Sequence, residues 1–444
     1  MAMIGHERAL ATTPRENRWA VGSFLALVAA SFFGVALLPF RVGSITLFPF
    51  RILLVPQALL ACITIARYRV ELRVLKPLRW YVAFLAVWLV YAALSLLWTP
   101  AGSAALADLG QLAVGVVFVL LVPFFVRTSR HLRWLAWLWL GALVVLSGIG
   151  LCENALGAHL PVSGYYQTTR PLLIYRPTSV YRNPNDFAMF LALGLPFALA
   201  KLAFTRRRLL LVPSWVLVGL VFYLIILTGS RAALLAAVAE VATLVLVLVL
   251  PAARRAHGIF RVAAVVGAFL CANIVPGLID SASTQGFTNS WHQMDVMAEQ
   301  IELETESIGV RWVLVLNGVQ AVRGTQGLGT GVGGTDWWME NRAAQSTQGI
   351  LSLHNWWLEL LVVYGVPIAL LFCLFYGSIL MRTAGLLRRA TVGEEALPTA
   401  VLLSLVGLFL AVLGPSSVLA LKPFWLVWGT ALAVLSTRSG RSGG

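Results

Sequence analysis

Charge is scarce in this chain: Asp, Glu, Lys and Arg make up only 11% of its 444 residues, against about 25% in soluble domains. A soluble fold is excluded on that ground. Lysine is nearly missing, with Lys76, Lys201 and Lys422 the three among 33 basic residues. The four cysteines (Cys62, Cys152, Cys271, Cys373) lie in or at the ends of apolar runs without ligand spacing, which suggests neither a zinc site nor a disulfide framework. Short alternating strands are wanting, and that excludes an outer-membrane barrel. There is no internal repeat, no low-complexity stretch and no small-residue cleavage site after the first apolar run, which therefore reads as a retained helix.

What the chain does have is apolar sequence, 59% of its residues, in uninterrupted runs long enough to cross a hydrocarbon core as helices. Hydropathy predicts about twelve spans, near 18–40, 44–66, 80–98, 109–126, 132–153, 186–204, 209–228, 231–250, 259–279, 354–381, 397–414 and 417–436. The fold class expected is an all-α integral membrane protein, one polytopic domain over 1–444. The net charge of +15 would suggest nucleic acid in a soluble protein. Here most of the basic residues fall in every second loop, so they orient the chain by the positive-inside rule and place both termini in the cytoplasm.

The basic residues left over are Arg41, Arg51, Arg170, Arg176, Arg182, Arg231, Arg311, Arg323, Arg342 and Lys422, on or near the outer side that insertion tends to keep free of positive charge. Two outer segments, 154–185 and 280–353, are too long for simple turns and form a small cap where function is expected.

Arg231 opens the eighth span in Gly229-Ser230-Arg231-Ala232-Ala233. A cation at a helix N-terminus on the outer side is disfavoured twice over, and a bound anion removes both objections. The plainer alternative is an arginine reaching lipid phosphates. Arg311 begins a largely apolar stretch ending at Arg323, which reads as a membrane-surface helix, either a lipid-held lid or a substrate-contacting one. His354 and Asn355 stand at the outer start of the tenth span. A helix N-terminus disfavours imidazolium and so keeps His354 in the neutral state a general base needs, although a lone histidine there is more often a capping or interfacial residue. Arg170, Arg176 and Arg182, six residues apart, could line an anionic cleft, whereas Asn183 to Asp186 reads as a turn with Asp186 capping the sixth span.

The glycine run at Gly327, Gly329, Gly331, Gly333 and Gly334 contains a G-x-G-x-x-G match, but no strand precedes it and no nucleotide pool exists outside. It reads as a flexible, close-packing turn. Asp295, Glu299, Glu302 and Glu306 share a helical face, read as solvated surface ahead of a cation site. Glu240, near the middle of the eighth span, is either part of a proton path or a lone carboxyl kept neutral or hydrogen-bonded to a neighbouring helix.

Taken in this order, the Gly229 to Ala233 opening, the helix from Arg311 with its glycine-rich sequel, and His354-Asn355 followed eleven residues after the histidine by Gly365 resemble the O-antigen ligase and O-antigen polymerase superfamily of inner-membrane glycosyltransferases, most strongly over residues 180 to 380. The resemblance implies a GT-C-type fold that moves a glycan from an undecaprenyl diphosphate donor to an acceptor hydroxyl on the periplasmic side, with no metal or other cofactor. Arg231 and Arg311 would hold the diphosphate and His354 would act on the acceptor, a glycolipid of lipid A-core type in a ligase or a growing glycan in a polymerase. Arg170, Arg176, Arg182, Arg323 and Asn355 would assist binding. Ligases often carry a small residue or tyrosine three places after the glycine matching Gly365, and here that place is Ile368. From another class, a secondary transporter or flippase has a similar number of spans, but places its charges and broken helices near the midplane.

Overall fold

The computed structural model describes residues 18–42, 45–67, 76–205, 208–249, 309–389 and 394–439. In chain order its helices are α1 (Arg18–Phe33), α2 (Pro49–Arg67), α3 (Arg79–Leu94), α4 (Ser103–Phe125), α5 (Ser129–Leu156), α6 (Pro171–Ile174), α7 (Pro184–Phe204), α8 (Arg208–Leu227) and α9 (Arg231–Val249). After them come α10 (309–324), α11 (Gly334–Asn341), α12 (Trp356–Arg389), α13 (Ala396–Ala411) and α14 (Lys422–Ser439). Nine helices among the described residues are long and apolar enough to cross a membrane. The chain is an all-α integral membrane protein with many passes. The expected span at 259–279 and the acidic face from Asp295 to Glu306 lie outside the described residues.

One departure from the helical pattern is a two-stranded antiparallel ribbon, β1 (Phe40–Val42) with β2 (Ile45–Leu47), which pairs Arg41 with Thr46. Ile45 and Thr46 of β2 fall at the head of the second span expected from hydropathy. That span instead begins at Pro49, where a fixed φ and a missing N–H suit a first helical turn.

Burial separates the spans into two sets. In α7, 89% of the apolar window is buried, against 22–44% in the other eight spans; α14 is buried along residues 423–435 as well, so these two helices lie inside the bundle and the other eight spans turn a face to lipid. Helix α13 packs against both α7 and α9, and its Ser404 hydroxyl donates to the Leu193 carbonyl of α7 at 3.1 Å. A helix of 16 residues is about 24 Å long, short of a hydrocarbon core of about 30 Å. At least one end of α13 therefore lies within the apolar layer. Glu240 is fully buried on α9 against Gly407 of α13, with no hydrogen-bond partner for either carboxyl oxygen among the described residues.

Helix α12 is broken at Gly365, whose φ of 72° and ψ of 179° belong to a region that only glycine occupies readily. Pro367 follows and has no N–H to continue the ladder. Backbone groups freed at such a break are costly in an apolar medium, and here the glycine-rich segment takes them up. Thr330 N–H donates to Val362 O at 2.7 Å, Gly331 N–H to Val363 O at 3.0 Å, and Val366 N–H to Gly327 O at 2.8 Å. The approach is so close that a Cβ on Gly329 would lie 2.5 Å from Val363 O. On its other side the segment is gripped by α3 and its sequel. Tyr91 Oη donates to Leu328 O at 2.6 Å, Trp98 Nε1 to Gly329 O at 3.1 Å and Thr99 Oγ1 to Val332 O at 2.9 Å. The glycine run is thus a splice bonded between helices, close-packing as expected, but tied on both sides where a flexible turn was expected.

Candidate active site

The first loop reaches α9 through Arg176. Its Nε donates to Thr228 O at 2.7 Å, and its guanidinium lies against Gly229, where a Cβ would stand 2.6 Å from Nη2. Gly229 is required there both by that approach and by its φ of 64°. The next two residues, Ser230 and Arg231, open α9, so two arginines from distant parts of the sequence meet at one helix N-terminus. Arg231 is solvent-exposed.

The second strand of the site runs through the turn after α13. Gly414 lies against Ser230 Oγ and Asn185, at 3.3 and 3.6 Å from where its Cβ would be. The carbonyl of that same glycine lies 3.3 Å from Nδ1 of His354. A carbonyl only accepts, so the bond puts the imidazole proton on Nδ1 and leaves Nε2 with a lone pair. Burial is the first cause that lowers the His354 pKa below the usual histidine value; the positive charge of Arg311 lowers it further, and the Gly414 carbonyl partly opposes both. His354 also has a φ of 49°, unusual for a residue with a side chain and found where surrounding structure enforces it.

Arg311 reaches His354 because α10 lies along the first turns of α12. Val310 and Leu314 share a buried cluster with Leu353, Leu358 and Val362. A Cβ on Gly318 would stand 3.0 Å from a Leu358 methyl. Arg231, Arg311, Arg176 and His354 are therefore gathered at one end of the bundle.

The remaining expected site residues fare differently. Arg323 lies twelve residues beyond Arg311 on the same helix, about 18 Å away by helical rise, too far for one diphosphate to meet both. Arg170 is exposed and precedes the short helix α6. Arg182 is exposed next to Asn183. Asn355 acts as the cap of α12, its Oδ1 accepting from Trp357 N–H at 3.1 Å and Leu358 N–H at 3.3 Å. The cap of α7 is Asn183 in place of Asp186: Asn183 Oδ1 accepts from Asp186 N–H at 2.9 Å, and its Nδ2 donates to Asp186 Oδ2 at 2.9 Å. Asp186, an equally good capping type, sits three residues further in, where it braces the capping amide.

A residue with no sequence signal organises the first loop. Glu153, 2% exposed at the end of α5, accepts from the backbone N–H groups of Thr178 at 2.8 Å and Ser179 at 2.6 Å and pairs with His159 Nδ1 at 3.4 Å. It stands beside Cys152 at the edge of an apolar run, where nothing in the pattern distinguishes it.

Residues 216–373, which hold Arg231, Arg311, the glycine splice and His354, match the family described as O-antigen ligase. The teichuronic acid biosynthesis protein TuaE of Bacillus subtilis (strain 168) is 27% identical over 423 residues, covering 92% of this chain and 83% of that protein. Both likenesses support the O-antigen ligase and polymerase superfamily. The family match contains the break in α12 and the N-terminus of α9, while Arg176 and Glu153 lie ahead of it. The similarity to the Bacillus protein extends to that first loop as well.

Proposed function

We propose that the chain is a polyprenyl-diphosphate-dependent glycosyltransferase of GT-C type, with about twelve spans, both termini in the cytoplasm and its site on the periplasmic face of the inner membrane. The donor is a glycan on undecaprenyl diphosphate. The acceptor hydroxyl oxygen attacks the anomeric carbon as the bond to the diphosphate breaks. The leaving diphosphate takes the electron pair, and His354 Nε2 takes the acceptor proton. Attack opposite the leaving group inverts the anomeric configuration.

The observation that carries this reading is the Gly414 bridge, which ties a neutral, Nδ1-protonated His354 to the N-terminus of α9, where Arg231 stands and Arg176 arrives from the first loop. A base and a set of fixed cations at one place are what this displacement requires. Charge grows on the diphosphate in the transition state, and preorganised guanidinium groups stabilise it while offsetting the cost of holding the anion in a water-poor cleft. On this reading arginines do what a divalent cation does elsewhere, and turnover survives EDTA.

The ligase reading, with a lipid A-core type acceptor, is preferred for the family's description. Polymerisation on the same donor is the alternative, favoured by Ile368 and by a relative named for teichuronic acid biosynthesis. A transporter is the rival from another class, and the break in α12 is its best support. Against it, the Val362, Val363 and Val366 backbone groups are bonded to the glycine splice instead of lining a path.

The test is to incubate purified protein with a polyprenyl-diphosphate-linked glycan and either a glycolipid acceptor or the donor alone. Transfer to the glycolipid supports the ligase, and chain growth on the donor alone supports the polymerase. If neither product forms, yet the protein moves the donor across vesicles, the transporter reading replaces both.

A further inference from the structure

Arg176 sits in a loop of few regular elements, yet its guanidinium is fixed over Gly229. The chain on either side of it is pinned by the end of α5 and the residues just after. Upstream, Asn154 Nδ2 donates to Tyr175 O at 2.8 Å, and His159 Nε2 lies 3.1 Å from Ile174 O. Downstream, the Glu153 carboxylate receives the Thr178 and Ser179 N–H groups. Ser179 is held at a φ of 52°, a strained conformation for serine, and its Oγ donates to Leu146 O at 2.9 Å. Thr178 Oγ1 donates to Ser163 Oγ at 2.8 Å, which closes the loop upon itself.

A carboxylate buried in this way is costly unless its acceptor sites are filled, and Glu153 has them filled by backbone N–H groups within three residues of Arg176. The geometry points to Glu153 as a positioning residue, with His159 and Asn154 as its partners: it presets the Arg176 guanidinium at the N-terminus of α9 so that the donor diphosphate meets a rigid two-arginine clamp. This rests on the donor reading given above. A flexible arginine would lose side-chain and loop entropy on binding, and preorganisation removes that cost before the ligand arrives.

The experiment is a double-mutant cycle on donor binding. Affinity for undecaprenyl diphosphate is measured on purified protein in nanodiscs for wild type, Glu153→Gln, Arg176→Ala and the double variant. Glu153→Gln keeps shape but places an NH2 group or a weaker acceptor against two N–H donors, and is expected to weaken binding about tenfold. If Glu153 acts through Arg176, the double variant binds no more weakly than Arg176→Ala alone. Multiplied losses would sink the proposal, because Glu153 would then act on the fold in general; wild-type affinity in Glu153→Gln would sink it equally. Hydrogen exchange guards against a folding artefact. Faster exchange in Glu153→Gln is expected at Thr178 and Ser179 with α7 and α9 unchanged, and loss of protection spreading through both helices would also overturn the assignment. Should wild type itself fail to bind undecaprenyl diphosphate, the donor reading falls and takes the clamp with it, an outcome distinct from binding that Glu153 does not influence.

Discussion

Two segments cover the same end of this bundle, and they are held there by opposite means. Residues 157–183 hang on side chains: one carboxylate, one imidazole and one carboxamide from the end of α5 and just beyond grip backbone groups of the loop. Residues 325–355 hang on backbone, where the glycine splice exchanges N–H and C=O groups with the broken α12. The first arrangement can lose a side chain and keep its path. In the second the contact with α12 is made chiefly by backbone groups, while Tyr91, Trp98 and Thr99 bond the far side of the segment, so at α12 added bulk, more than a lost side chain, is what breaks it.

The largest expected effect follows from that contrast. Gly365→Ala places a methyl group 2.5 Å from the Leu328 carbonyl carbon in a backbone region closed to alanine, a strain of about 1–3 kcal/mol before the clash is counted. Little monodisperse protein should survive detergent extraction and size-exclusion chromatography. Glu153→Gln should elute as wild type. Equal recovery of the two variants would erase the distinction between the segments.

Next in size is the separation of chemistry from binding within the folded site. His354→Ala is expected to bind undecaprenyl diphosphate almost normally while transfer falls about a hundredfold or more, the scale of a lost general base. Arg231→Lys keeps the charge but not the planar fork, so binding and transfer should decline together. Transfer within a few-fold of wild type in His354→Ala would remove the histidine from the mechanism and leave the arginines as the source of catalysis.

How much of this was legible follows the same division. The positions of the spans were open to hydropathy, because lipid imposes its pattern on every long apolar run. Arg231, Arg311 and His354 stood out because each is a polar residue where insertion disfavours one. The splice was half legible: Gly365-Val366-Pro367 inside an apolar run is a breaker signal, but nothing in sequence says that Gly329, 36 residues earlier, fills the gap. Gly43-Ser44 between β-branched residues is likewise a hairpin signal that hydropathy absorbed into the second span. Glu153 was not legible at all. Its partners are backbone N–H groups, which every sequence has, and a carboxylate at the end of a span looks like ordinary surface. Arg176 differed from Arg170 and Arg182 only through a contact with Gly229, made across 53 positions of sequence.

The two ends of α10 offer a smaller test inside the second segment. Arg311 acts on His354 electrostatically, whereas Arg323 is about 18 Å further along the helix. Arg311→Ala should lower donor affinity and transfer by tenfold or more, and Arg323→Ala should leave both within about threefold, as for an exposed cation near lipid. Comparable losses at both positions would mean that the donor's glycan, and not its diphosphate alone, lies along α10.

The smallest effect expected is a shift in pH dependence. Burial and the Arg311 charge lower the folded-state pKa of His354, so the neutral ring persists below the usual histidine value of about 6.5. Transfer should therefore be level through neutral pH and fall only as the medium becomes more acid than that value, when His354 Nε2 gains a proton and can no longer accept one. Removing the neighbouring positive charge reverses one of the two causes. In Arg311→Gln the acid limb of the transfer rate should move to higher pH, while burial, the larger cause, keeps the move modest. The profile is best taken at saturating donor, since the same variant also weakens donor binding and a limb seen at low donor would mix the two effects. A limb that stays fixed in Arg311→Gln but vanishes in His354→Gln would keep the histidine as the titrating base and remove Arg311 from its electrostatics. An unchanged limb in both would assign the titration to another group, and with it the proton acceptor of the reaction.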